Sequence, residues 1–126
     1  MRRLIACAVL VGLTGSAQAQ AAGLPLRLMV RPQVMRYDYR GAELIAYTTP
    51  GALCWGRVVY STGHKPVSFR KEVAKSLPAT SSVGRALWTW HEETKGTAGT
   101  ATVTCTLGRR AATATTTFVV IHRAKQ

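Results

Sequence analysis

Glu92 and Glu93 are adjacent, and a pair of carboxylates is what a glycosidase needs: one protonates the leaving oxygen while the other attacks or activates water. Neighbouring residues at a strand end point to opposite faces, so these two cannot flank one bond. A solvated turn beside Lys95 is expected instead. Ser68-Phe69-Arg70-Lys71 has the serine–lysine spacing of acyl-transfer enzymes, in which a helix start brings the lysine one turn later within reach of the serine. Here the segment reads as extended, with Ser68 and Lys71 on opposite faces, and acyl transfer is not expected of it. His64, His91 and His122 lie in three separate segments. His64 and His91 with Glu92 make the one conceivable metal set, but they lack the paired-ligand spacing of a zinc site. Trp88 and Trp90, with Trp55, could present flat faces to sugar rings, yet Trp88 and Trp90 share a strand face and are expected in the core. No glycine-rich phosphate loop is present. The sequence therefore assigns no catalytic residue, no metal and no cofactor.

The elements that must carry these residues are strands. Period-two alternation dominates, most clearly in Thr100 to Leu107, where Ala101, Val103, Cys105 and Leu107 face one way and four threonines the other. Gly108-Arg109-Arg110 makes a turn, and Ala111 to Ile121 returns as the partner strand of a C-terminal hairpin. Pro50-Gly51 separates Glu43–Thr48 from Leu53–Tyr60, where Cys54, Val58 and Tyr60 share parity. Arg85 to His91 carries both Trp88 and Trp90 on one face. Leu26 to Tyr37 reads as an edge element interrupted at Pro32, which lacks the N–H a central strand needs. Val67 to Lys71 reads as a short edge strand, and Lys71 to Ser82 as irregular, with Pro78 limiting any helix to one turn. About seven short strands at regular spacing predict an all-β fold, an antiparallel two-sheet sandwich; a small barrel is the competing layout.

The first residues read as an export leader. Arg2 and Arg3 precede the apolar stretch Leu4 to Leu13, and Ala17-Gln18-Ala19 offers the small-x-small pattern of a cleavage site. The domain division predicted is thus a signal peptide over 1–19 and one domain over 20–126, periplasmic or secreted, with no integral membrane span in the mature chain. Removing the leader takes away Cys7 and leaves Cys54 and Cys105. An even count in an exported chain points to one disulfide; free buried thiols would suit a cytosolic protein, and a zinc site lacks its other ligands. The bridge is expected to pin the two facing sheets together and, by closing a loop of about 50 residues, to contribute about 4 kcal/mol.

Thr49-Pro50-Gly51-Ala52-Leu53-Cys54, then Trp88-Thr89-Trp90, then Thr102-Val103-Thr104-Cys105 come in order. In that order of motifs the chain, from about Pro32 to Ile121, resembles the bacterial immunoglobulin-like or fibronectin-III-like domains of secreted and cell-surface proteins. The resemblance implies an immunoglobulin-like sandwich whose two cysteines bridge, and it brings no catalytic residues. Trp55 adjoins the first cysteine, whereas in antibody domains the tryptophan stands on a separate strand, so the strand lettering does not carry over directly.

Only the charge remains as a functional clue. The chain has 126 residues, 17 Lys plus Arg against 5 Asp plus Glu, and a net charge of +12; loss of Arg2 and Arg3 with the leader lowers this by two. Such a field attracts polyanions, and arginine's planar fork suits phosphate and carboxylate. The anion-binding candidates are Arg27, Arg31, Arg36, Arg40, Arg70, Lys71, Lys75, Arg109 and Arg110. The function expected is a non-enzymatic binding module for lipopolysaccharide or another anionic envelope polymer, extracellular nucleic acid or an acidic protein. Its competitors are a strand-exchanging subunit of a surface fibre or envelope complex and, with no constellation behind it, a small hydrolase.

Overall fold

Strand-forming, alternating segments joined by glycine and proline turns leave little room for anything but sheet. In the computed structural model, which describes residues 18–19, 23–94 and 97–121, the strands are β1 (Gln18–Ala19), β2 (Leu26–Arg31), β3 (Val34–Arg36), β4 (Ala42–Thr48), β5 (Leu53–Tyr60), β6 (Val67–Val73), β7 (Lys75–Leu77), β8 (Thr80–Trp90), β9 (Thr97–Leu107) and β10 (Arg110–Ile121). They form two five-stranded sheets, β1-β2-β4-β8-β7 and β3-β10-β9-β5-β6. The leader reading falls almost wholly on residues outside those described; Gln18 and Ala19 pair with Arg27 and Leu26.

Ten strands among the described residues replace the expected seven because two runs change sheets partway and the short β1 is added. At Pro32, which has no N–H for either ladder, the chain leaves the first sheet and enters the second as β3. There β3 lies parallel to β10, with Val34 opposite Val119, so the all-antiparallel expectation fails at this one pair among the described strands. The second change comes at Ala74. Val73 pairs with Leu53 in the second sheet and Lys75 with Arg85 in the first, while the buried Ala74 is held by its N–H to Ala52 O and by Gly51 N–H to its own carbonyl, both 2.8 Å. The stretch Lys71 to Ser82, expected to be irregular, is therefore mostly strand: pairing on both sides overrides Pro78, which sits in the turn before β8.

The core fills the space between the sheets. Leu26, Leu28 and Val30 alternate inward on β2, and Trp88 and Trp90, 6% and 8% exposed, do so on β8 as the parity predicts. Phe69 and Phe118 come from the opposite sheet to meet Trp90 at 5.5 and 5.7 Å between ring centroids. Aromatic packing of this kind adds attraction beyond burial alone. Gly99 makes the room: a Cβ there would lie 2.3 Å from Cζ of Phe118.

Cys54 and Cys105 are bridged, but not between the sheets. They stand directly opposite each other on the neighbouring strands β5 and β9, Cα atoms 4.0 Å apart. Parity correctly turned both inward; it says nothing about which sheet either strand joins. The bridge thus fastens one sheet internally, and the facing sheets are held by packed side chains and by the connections that pass between them.

Candidate cationic face

Antiparallel partners share a face, so register decides which charges meet. Arg27 on β2 is opposite Tyr47 on β4, Tyr47 is opposite Arg85 on β8, and Arg85 is opposite Lys75 on β7. These four form one transverse row on the outer face of the first sheet. With strands about 4.8 Å apart, the Arg27 and Arg85 backbones are separated by about 10 Å. The Arg27 guanidinium lies over the Tyr47 ring, 5.5 Å from its centroid. Among the described residues no carboxylate pairs with Arg27, Arg85 or Lys75. Two residues further along each strand, Met29, Ile45 and Leu87 make a second row, and Arg31, Glu43 and Thr89 a third. Arg31 is neutralised there by Glu43 at 2.7 Å.

Arg27 and Lys75 are thus brought together from the nine sequence candidates, and the member that joins them, Arg85, was not among those nine. It is an isolated cation in Val-Gly-Arg-Ala-Leu-Trp, and nothing short of strand register reveals its neighbours. The other candidates disperse. Arg36 ends β3, Arg40 lies in the following loop, Arg109 occupies the β9–β10 turn and Arg110 opens β10. On β6, the Arg70 carbonyl accepts the indole N–H of Trp88 at 2.8 Å. Lys71 covers Trp55, 5.2 Å from the ring centroid, on the outer face of the second sheet.

That position of Lys71 corrects one detail of the serine–lysine reading. The β5–β6 register shifts between Cys54 and Gly56, so two residues of β6 oppose one of β5 and parity changes. Ser68, opposite Arg57, and Lys71, over Trp55, therefore share the outer face. Among the described residues no hydrogen bond joins them, and the bulged strand supplies none of the helix geometry the chemistry needs.

Glu92 overturns a larger expectation. It is fully buried, not solvated. Its Oε1 accepts from Tyr60 Oη at 2.8 Å and Trp90 Nε1 at 3.0 Å, and its Oε2 accepts from Thr94 N at 2.9 Å and Thr94 Oγ1 at 2.5 Å. Its own N–H donates to Tyr39 O at 2.7 Å. A buried carboxylate is tolerable when its lone pairs are occupied in this way; residue type alone argues for exposure because it does not show that Tyr60, from β5, joins the neighbouring Trp90 and Thr94 as a donor. Burial, and then the hydrogen bond to Glu92 and its negative charge, push the Tyr60 phenol well above its usual range. Glu93 points the other way, 73% exposed, and pairs with His91 Nδ1 at 3.0 Å, while His91 Nε2 meets Asp38 at 2.5 Å. Lys95 lies outside the described residues.

With its oxygens filled and no solvent access, Glu92 is not placed to serve as an acid, a base or a metal ligand. Among the described residues no three His, Cys, Asp or Glu side chains converge on a metal position. His64 rests edge-on against Tyr60, 6.3 Å between centroids, in a cleft of about 310 Å3 that His91 and Lys65 also line; His122 is outside the described residues. No helix among the described residues is long and apolar enough to cross a membrane.

No family model matches the chain, and no curated protein or solved structure matches it either.

Proposed function

We propose that the protein is an exported, non-enzymatic, immunoglobulin-like module that binds an anionic partner through the outer face of its first sheet. The observation that carries this reading is the row Arg27, Tyr47, Arg85 and Lys75, in which three cations stand without carboxylate partners among the described residues. Aligned cations on a flat face concentrate positive potential where a polyanion can reach all of them together.

The strand order supports the immunoglobulin-like part. The sequence β2-β4-β8-β7 follows the A-B-E-D order of such domains, β10-β9-β5 follows G-F-C, and the first long run divides between both sheets. The disulfide departs from that pattern, joining the C and F positions of one sheet. Export is supported by the leader pattern and by the disulfide itself, which persists in oxidising compartments.

Binding to heparin-like or nucleic-acid polymers, titrated against salt, tests the reading. Affinity should fall linearly in log–log form as salt rises, and Arg85→Glu with Lys75→Glu should reduce that slope by about one per cation removed. Negligible retention of the wild-type protein at low ionic strength would remove the anionic partner. Turnover in a hydrolase screen that disappears on changing His91 or Glu93 would instead restore an enzyme.

A further inference from the structure

The cationic row has an apolar companion. Outward positions of a solvated antiparallel sheet are normally polar, yet Met29, Ile45 and Leu87 stand side by side across β2, β4 and β8, one strand repeat (about 6.8 Å) from Arg27, Tyr47 and Arg85. Ile45 is 1% exposed, covered by its neighbours, while Met29 and Leu87 are each 39% exposed. Leu87 also borders a shallow indentation of about 230 Å3 that contains Lys75, Arg85 and Leu77, together with the carboxylate residue Glu72. The far side of the apolar row is closed by the neutral pair Arg31–Glu43 and by Thr89.

A soluble polyanion would use the cations and leave Met29 and Leu87 in water. A bilayer with anionic headgroups would use both rows: phosphates against the cations, and the upper acyl region against the thioether and isobutyl tips. Tyr47, with an apolar ring and a polar end, suits the boundary between those two layers. We infer that the outer face of the first sheet docks on an anionic phospholipid surface, with Arg27, Arg85 and Lys75 on headgroup phosphates and Met29 and Leu87 dipping into the acyl boundary. This rests on the anionic-partner reading above and narrows it to one partner. Each cation near such a surface raises partitioning about fivefold, so the row lacks the strength of an anchor and gives reversible, salt-sensitive attachment to which the apolar tips add.

The test is co-sedimentation of the oxidised protein with vesicles of phosphatidylglycerol and phosphatidylethanolamine, beside vesicles of phosphatidylcholine alone and a heparin column. Sedimentation with the anionic vesicles only is expected. Met29→Thr with Leu87→Thr places β-branched, strand-favouring residues at surface positions; it should weaken vesicle binding about tenfold or more and leave heparin retention unchanged. Should the double variant melt early, Leu87→Thr alone should show the same split at smaller size. Arg85→Glu with Lys75→Glu should weaken both. Wild-type protein that holds to heparin and ignores anionic vesicles overturns lipid docking while the anionic-partner reading stands. Unaltered vesicle binding by the threonine variant overturns it equally. Loss of both heparin and vesicle binding in the wild type overturns both.

Discussion

Glutamine at position 92 keeps the shape of the glutamate and exchanges one oxygen for an NH2 group. In the native protein both oxygens accept, two donors each. Whichever way the amide is turned, its NH2 must face one of these pairs. The Tyr60 and Thr94 hydroxyls can rotate to accept from it, but the Trp90 indole N–H and the Thr94 backbone N–H can only donate. Every orientation thus leaves one buried N–H without an acceptor, at about 1–3 kcal/mol, and turns charge-assisted hydrogen bonds into ordinary ones. Relief of the carboxylate's burial cost offsets part of this, and a net loss of about 3 kcal/mol is expected for Glu92→Gln. In a domain of this size that lowers the melting temperature by about 15 °C. Glu93→Gln is the control: its carboxylate is 73% exposed and pairs, among the described residues, with His91, and exposed pairs contribute less than about 1 kcal/mol. Urea titration of the oxidised protein, followed by the fluorescence of Trp88 and Trp90, measures both. Equal midpoints for the two variants would refute the assignment of Glu92 as a buried hydrogen-bond hub.

Tyr60 gives a pH signature. Its phenol titrates near 10 when unfolded and higher when folded, so above pH 10 the unfolded state holds fewer protons and stability falls with rising pH, whereas below pH 10 the group adds no slope; Tyr60→Phe should flatten the alkaline limb of stability measured by urea midpoints. Changing both Cys54 and Cys105 to alanine should cost about 4 kcal/mol through the reopened loop, yet the far-UV spectrum of what remains folded should be unchanged, because the bridge does not join the sheets. Gly99→Ala would force a methyl group into the Phe118 ring at 2.3 Å and should cost about 1–3 kcal/mol, seen as a lowered melting temperature.

What could be read in advance was parity. The inward set of Ala101, Val103 and Cys105, the core placement of Trp88 and Trp90 and the pairing of Cys54 with Cys105 all follow from period-two alternation and cysteine count. What could not be read was neighbourhood. Alternation does not say that Leu26–Tyr37 divides between two sheets, that β3 lies parallel to β10, or that β5 and β9 adjoin. A single bulge opposite Trp55 was enough to invert the relation of Ser68 to Lys71. The burial of Glu92 has the same origin: a carboxylate is buried only when donors occupy its oxygens, and beside the local Trp90 and Thr94 one of them, Tyr60, is 32 residues away. Arg85 was overlooked because its row exists only across four strands.

The row and the core are the two parities of the same strands, which explains why the cationic face is as firmly specified as the interior. On β8, Ala86, Trp88 and Trp90 point inward while Arg85, Leu87 and Thr89 point out; on β2, Leu26, Leu28 and Val30 oppose Arg27, Met29 and Arg31. Slipping either strand by one residue would put arginines in the core and its hydrophobic set in water, so register is held by burial and the row inherits its rigidity. The second sheet is held in register by the same alternation, with Ala101, Val103 and Cys105 buried on β9, but its outer positions are filled differently. There Thr102 and Thr104 of β9 meet Thr115 and Thr113 of β10 in hydroxyl pairs at 3.3 and 2.9 Å, a strand-favouring, uncharged patch along those two strands. Two sheets built from one alternating pattern thus carry different outer chemistry: paired threonines along β9 and β10 with Lys71 and Trp55 towards β6 on one, and a cationic row beside apolar tips on the other. The difference lies wholly in residues that the core leaves free to vary, and those are the positions where substitution should alter binding and spare the fold.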